Sequence, residues 1–472
     1  MKLNKYTPDD FSIGFCADST VDTMAKGATP NAYNVEMLRG SLKTMKGFSK
    51  HTSAPIIYNG EAYKPVKLMT YYSYLSTAYS NNDVMPIIAS TGGVLGIFIY
   101  KNNEWVALQT NISVADMGYV NYYVKRNNLL LCNALDGMYK LEREKVTFIE
   151  DSLPISAMTL HFERVWGTGD TMYPNKVFYS AVNDPECWDA DKGAGELSIT
   201  THDGDMFIGI ATVFDDVVLY RQKSLFRISG SSPETYSLKQ IPSESGACGP
   251  NAIANDGKNS FFVGVNGIYE YNGSSAQVIL NDRLSLFFAE RVNKSKLYNC
   301  SAVIHNGKLF VSLACDSSRS NNCIIEYDIQ QKVINIRKNC NAHLLNVFNG
   351  ELYFCDEDGN IFKFDGSDSY ADESIDAHYE TPYTDMGGKS RLKTLDNICF
   401  SARGNGNVII TAITENGASS SCVTLTDENE FHLYRIDMYN IGRRYKFCID
   451  NSEGSIFEIS DLEIYYEEED ED

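Results

Sequence analysis

The stretch "FFVGVNGIYEYNG", residues 261–273, holds an apolar run, a turn, alternating large and polar residues, and a second turn. Versions of it return as "DGMYKL" at 136–141, "KSLFRISG" at 223–230 and "DGNIFKFDG" at 358–366. Aligning the large residue at the centre of each unit selects Phe98, Tyr139, Phe178, Phe226, Tyr269, Ile325 and Phe362, spaced 41, 39, 48, 43, 56 and 37 residues apart. A period near ~40–45 residues, with about four short strands per unit, is the signature of a β-propeller. Around the quoted stretch the strands read as 252–254, 260–265, 267–271 and 276–280. One four-stranded sheet cannot cover both of its faces, so copies pack against one another around an axis. Turn pairs such as Asn306-Gly307, Asn349-Gly350 and Asp365-Gly366 punctuate the strands, their glycines supplying the positive φ that tight hairpins need.

The sequence therefore predicts an all-β chain: an N-terminal extended arm over 1–60, a propeller of about seven units over 61–368, a polar linker over 369–390, a small C-terminal β-sandwich over 391–466 and an acidic tail over 467–472. The arm, poor in apolar residues, is expected either to cross the propeller and supply a strand or to reach a neighbouring subunit. "CDSSRSNN" at 315–322 is an insertion in one unit. Six alternating stretches between "NICFSA" and "DLEIYYE" are the expected sandwich strands.

Composition narrows the function. Hydrophobic residues make up 43% of 472, with 30 Tyr, 23 Phe and 34 Gly, as expected of a globular chain of strands and tight turns. A formal net charge of -21, with no clustered lysine and arginine, argues against nucleic acid as a main ligand. The start lacks an apolar leader core, and no run of 18 apolar residues occurs, so residence in a cytoplasm without a membrane span is expected. The 12 cysteines show no C-x-x-C spacing, which favours packed thiols over zinc.

Motifs for chemistry are weak. Asp184, Glu186, Asp203, Asp205, Asp215 and Asp216 supply carboxylates for a glycosidase, but solvated turns explain them more simply. "DEDGN" at 356–360 has its glycine at the fourth place of a calcium loop and not the sixth, and "HDGD" at 202–205 reads as a turn. The histidines stand apart, and Cys248 in "SESGACGP" reads as a packed thiol. No catalytic residue, cofactor or metal is expected.

Three segments are more elaborate than generic repeats: 163–190, 203–230 and 246–273. They carry Arg164, Trp166, Pro174, Asn175, Val177, Tyr179, Ser180, Asp184, Pro185, Trp188, Asp203, Gly204, Asp205, Asn266, Gly267, Ile268 and Tyr269. With Pro30, Asn34, Leu38, Gly40, Leu42 and Gly47 of the arm, this pattern resembles the β-propeller tail proteins of tailed bacteriophages, of the tail-nozzle and packaged-DNA stabilisation type. The resemblance spans most of the chain, while the insertion and the marked acidity depart from its strongest examples. It implies a non-enzymatic virion protein of the tail or head–tail junction, assembled in the host cytoplasm. Such a protein forms a ring, often of six copies, contacts portal-adaptor or other tail proteins, and lets DNA pass without sequence-specific binding, past a negative wall. The alternatives are a tail-tip propeller that binds or cleaves host glycans, with the tyrosine-rich stretches 69–80 and 118–126 as candidates, and a cellular scaffold of the WD or kelch type, for which one "WD" at Trp188-Asp189 is too little.

Overall fold

The computed structural model describes residues 3–8, 11–17, 24, 27–38, 40–71, 85–122, 128–201, 204–388 and 391–468. Among these, six four-stranded sheets and one six-stranded sheet form seven successive units, each built on three or four antiparallel strands consecutive in the chain. The first runs through Lys64–Leu68, Ile87–Thr91, Val94–Lys101 and Glu104–Ser113, and the fifth through Ile253–Asn255, Ser260–Gly264, Gly267–Tyr271 and Ala276–Ile279. All seven residues that set the repeat period fall in the third strand of successive units.

Packing shows how the units are arranged. Each pair of neighbours shares a hydrophobic cluster, and the series closes on itself. Ile87, Ala89 and Phe98 of the first unit pack with Leu344, Tyr353 and Ile361 of the seventh. The Lys64–Leu68 and Leu344–Phe348 strands, innermost in those two units, lie side by side. This closed arrangement of self-covering sheets is a β-propeller. In the quoted stretch, Phe262 and Tyr269 stack at 5.2 Å and face the fourth unit, whereas Phe261, Val263 and Ile268 face the sixth.

The glycines of the hairpins divide into two kinds. Asn306-Gly307 has φ of 48° and 73°, and Asn349-Gly350 has 51° and 76°, as a two-residue hairpin turn requires. Gly267 of the quoted stretch is different: its φ is not positive, and a Cβ there would sit 3.0 Å from Val278 Cγ2. Close packing, and not turn geometry, is what calls for a glycine at that position.

The arm is not a separate element. Gly14–Phe15 pairs in parallel with Ile334 and widens the sixth unit. Ser49–Lys50 pairs with Phe362 and Lys363, supplying the fourth strand of the seventh unit. Asn31–Tyr33, Val35–Leu38 and Ser41–Thr44 join the C-terminal sheet. The first of the two expected roles for the arm, supplying a strand, is the one observed within the chain.

The C-terminal region corrects the expected sandwich. It is one nine-stranded, barrel-like sheet built around Lys393–Thr414, 22 residues long, and Gly417–Gly442, 26 residues long. "NICFSA" and "NVIITAI", read as two strands, form one continuous strand. Gly404 and Gly406, with φ of 148° and 97°, bend it without ending the pairing, and a Cβ on Gly404 would run into the Ile456 carbonyl. The linker also contributes the strand His378–Glu380 to this sheet, while its hairpin Ser369–Tyr370 with Glu373–Ser374 stands apart as a two-stranded sheet. This sheet and the fifth and sixth units share one core, in which Phe400, Ile410 and Ile459 meet Val311, Ile325 and Ile336.

One segment departs from the all-β reading. Asn281–Leu286, Phe287–Arg291 and Lys294–Asn299 are short helical turns between the fifth and sixth units, burying Leu284, Phe287, Phe288 and Leu297. No helix among the described residues is long and apolar enough to cross a membrane.

Candidate functional site

The structure places most of the motif residues in three regions that hold neighbouring elements together. The first lies in the third unit. Arg164 Nη1 donates to the carbonyls of Ser180 and Gly193, both at 2.6 Å, and its guanidinium lies 5.2 Å from the Tyr179 ring centre. Ser180 Oγ accepts from the Val165 amide at 3.0 Å and donates to the Ala181 carbonyl. Trp166 is buried, its ring 5.1 Å from Tyr179 and 4.9 Å from Tyr236. Val177 is buried beside them, and the Asn175 carbonyl accepts from the Ile199 amide at 2.9 Å. Asp184 and Pro185 form the turn that returns the chain, while Trp188 packs half-buried against the cluster between the second and third units. Pro174 lies in the turn before Lys176–Tyr179.

The second place is the connection into the fourth unit. Gly204 takes a φ of 64° and Asp205 turns inward. The buried Asp205 carboxylate accepts from the Lys223 amide at 3.1 Å and from Ser224 Oγ at 2.7 Å, with Arg221 Nε 3.8 Å away. Asp203, part of the same motif, lies outside the described residues, as does His202. Asn266 is in the exposed turn before Gly267, and Ile268 and Tyr269 fill the faces of the fifth unit.

The third place is where the arm, the sixth unit and the linker meet. Asn34 is buried at φ 56° between two strands of the barrel-like sheet. Its Nδ2 donates to the Asp376 carbonyl at 2.7 Å, and its Oδ1 accepts from the Lys338 amide at 2.9 Å and from Tyr370 Oη at 3.0 Å. Tyr370 Oη in turn accepts from Arg337 Nη1 at 2.9 Å, and Arg337 Nε donates to Glu326 Oε1 at 2.8 Å. Arg337 Nη1 also donates to the Lys46 carbonyl at 2.7 Å, just before Gly47, where a side chain would strike the Ser369 backbone. Burial works against the charge of Arg337, but the Glu326 carboxylate beside it keeps the guanidinium firmly protonated. Leu42 is buried, Leu38 and Pro30 are half-buried, and Gly40 makes an open hairpin turn at φ 86°. Asn34 and Gly47 were legible as motif positions; Arg337, Glu326 and Tyr370 were not, since nothing in their spacing shows that they converge.

The carboxylates considered for catalysis are engaged separately. Glu186 accepts from Tyr122 Oη at 2.6 Å and Lys140 Nζ at 2.9 Å, Asp205 faces Arg221, and Asp216 lies 3.6 Å from Arg227. Asp215 is in the exposed turn beside Asp216. In "DEDGN", Asp356 Oδ1 accepts from the amides of Asp358 and Asn360, so this carboxylate holds its own turn. Among the described residues, no three His, Cys, Asp or Glu side chains gather into a metal site. The 12 cysteines are free thiols; Cys248 Sγ lies 3.3 Å from Cys300 Sγ in the packing between the fifth and sixth units. Of the tyrosine-rich stretches, residues 72–80 and 123–126 lie outside the described residues.

The innermost strand of each unit is free of carboxylates. Lys64–Leu68, Met117–Tyr122, Ala157–His161, Phe207–Val213, Ile253–Asn255, Ser301–His305 and Leu344–Phe348 contain no aspartate or glutamate. Neutral groups join them instead. Asn121 Nδ2 donates to the Thr70 carbonyl at 2.8 Å, Asn346 Nδ2 donates to Thr70 Oγ1 at 3.1 Å, and Thr212 Oγ1 donates to the Leu160 carbonyl at 2.8 Å.

One titrating group ties the arm to the C-terminal sheet. His378 Nδ1 is 2.6 Å from Asp450 Oδ1, its ring stacks on Tyr33 at 5.2 Å, and Asn31 Nδ2 lies 3.1 Å from its Nε2. Burial opposes its charge, but hydrogen bonds with Asp450 and Glu380 outweigh this and raise its pKa from 6.5 to about 9. A raised folded-state pKa stabilises the fold fully below 6.5, and the contribution fades as pH climbs through 9. The urea midpoint is therefore expected to fall across that window by roughly 2–3 kcal/mol of stability, and His378→Gln should abolish most of this slope. An unchanged slope in the variant would assign the titration elsewhere.

No protein-family model and no curated protein matches the sequence. Solved structures do align with it. The WD40 domain of Pan2 from Neurospora crassa is 10% identical with a TM-score of 0.43, covering 68% of this chain and 95% of that domain. BamB from Moraxella catarrhalis is 11% identical with a TM-score of 0.33, over 64% of this chain and 97% of BamB. The extracellular domain of the one-component system BT4673 from B. thetaiotaomicron is 10% identical with a TM-score of 0.45, over 89% of this chain and 61% of that one. At such identity the likeness carries nothing about activity or partners.

Proposed function

We propose that this chain is a structural, non-enzymatic component of a tailed-bacteriophage virion, a nozzle-like ring protein of the tail or head–tail junction. The observation that carries the reading is how the motif residues are used. Arg164, Ser180, Asp205 and Asn34 each spend their polar groups on backbone and side-chain partners inside the protein, holding sheet to sheet and arm to sheet. Residues kept for rigidity suit a part that bears load and docks by its surfaces. Copies would assemble in the host cytoplasm into a ring, often of six, against portal-adaptor or other tail proteins. DNA would pass along the axis of that ring, facing acidic surfaces that offer its phosphates no basic cluster.

A second reading, a tail-tip propeller contacting host glycans, draws on one feature. A groove of about 500 Å³ between the sixth and seventh units is lined by Asn339, Asn341, Asp356, Glu357, Asp358 and Glu373, groups able to hydrogen-bond sugar hydroxyls. Electron microscopy and light scattering of the purified chain, alone and mixed with a portal-adaptor ring, separate the two. Ring-shaped assemblies docked on the adaptor are expected in the mixture, with the adaptor nucleating the ring. A chain that ignores the adaptor and retains polysaccharide would replace the first reading with the second, and release of reducing sugar would refute the non-enzymatic assignment.

A further inference from the structure

The strand Gly417–Gly442 pairs along one side with Lys393–Thr414 and, among the described residues, with no strand along the other. Its second edge therefore presents a row of backbone N–H and C=O groups able to accept another strand. Natural edges are usually blunted by lysine or proline, and residues 428–442 contain neither. Between 433 and 439 the side chains alternate: Ile436 and Met438 are buried, while Leu433 and Tyr439 are 77% and 72% exposed. Arg435 and Asp437 lie between those two apolar groups on the same exposed face; within the chain they form a solvent-exposed pair at 3.3 Å, and Arg435 also lies 4.0 Å from the Asp396 carboxylate, both weak at such exposure.

The order Leu433, Arg435, Asp437, Tyr439 is self-complementary when read in the opposite direction. We propose that this edge pairs antiparallel with the same edge of a second copy, about a two-fold axis at Ile436. Arg435 then faces Asp437 of the second copy, and Asp437 faces its Arg435. Leu433 faces Tyr439, and Tyr439 faces Leu433. The neighbouring registers that keep the same face outward are disfavoured: an axis at Arg435 sets the two arginines opposite each other, and an axis at Asp437 sets the two aspartates opposite each other. Like charges directly opposed across a pair of strands are destabilising, so charge selects the register. Such a contact is isologous and closes at two copies, unlike the head-to-tail contact of a ring.

Sedimentation equilibrium of the full chain over a wide concentration range tests this. A reversible monomer–dimer equilibrium is expected. Arg435→Asp and Asp437→Arg should each raise its Kd by about tenfold or more, because each creates two like-charge pairs. The charge-swapped R435D/D437R variant rebuilds both opposite pairs and should return Kd to within about threefold of the starting value, at an unchanged thermal midpoint. A chain monomeric at every concentration overturns the proposal. So does a Kd that R435D leaves unchanged, a swap as weak as the single variants, or an assembly larger than two copies that R435D does not disturb.

Discussion

Deletion of residues 1–50 is expected to leave no cooperatively folded protein at 25 °C. The deleted segment does not simply lie on the surface. It supplies the fourth strand of the seventh unit, two short strands beside the sixth, and four strands of the barrel-like sheet. Phe15, Val35, Met37 and Leu42 belong to the core shared by the propeller and that sheet, and Phe48 packs between the sixth and seventh units. Each such side chain contributes roughly 1.5–3 kcal/mol on burial, so losing the five removes about 8–15 kcal/mol, comparable to the whole stability of an ordinary domain. Far-UV circular dichroism and urea titration of the truncated chain check this. A cooperative transition near that of the full chain would mean that the propeller closes without its first residues.

The second large effect lies at the junction of arm, sixth unit and linker. Arg337→Ala should destabilise the fold by about 3–5 kcal/mol, because it strands the Glu326 carboxylate in a place where water cannot replace the lost partner. Both side chains are 6% exposed, and the salt bridge spans 2.7 Å. The variant also removes donors to Tyr370 Oη and the Lys46 carbonyl, so the arm loosens along with the pair. Adding Glu326→Gln should recover a substantial part of the loss, since a neutral amide costs less to bury than an unpaired charge. A double variant no more stable than Arg337→Ala alone would show that the arm contacts, and not the buried charge, set the cost.

Much of the propeller was legible because its signal is periodic. Phe98, Tyr139, Phe178, Phe226, Tyr269, Ile325 and Phe362 occupy equivalent third strands because each must plug the space between two sheets, and that demand repeats with the chain. The helical turns at 281–299 were missed even though Leu284, Phe287 and Phe288 stand at helical spacing. That segment is a single insertion with no echo to reinforce it. The C-terminal sheet was misread at Gly404 and Gly406, because a glycine that bends a strand and a glycine that ends one look alike until the partner strand is known.

The junction around Asn34 shows the other limit. Asn34 stands out in the sequence, but Tyr370 and the Lys338 amide reach it, and Arg337 reaches Lys46 of the arm, across 336, 304 and 291 residues, which no local pattern encodes. The electrostatics of the inner strands were likewise not readable from a net charge of -21, because that sum does not say which residues face the axis.

The central claim is that the ring of sheets is closed within one chain by its own first residues. Native-state hydrogen exchange on the segment 47–52 tests it most directly. There the amides of Phe48 and His51 donate to the carbonyls of Ser369 and Ile361, and Ser49–Lys50 pairs with Lys363 and Phe362. The account predicts protection in this segment equal to that of residues 351–363, with both lost together in rising denaturant. Free exchange at 47–52 while 351–363 stays protected would contradict it.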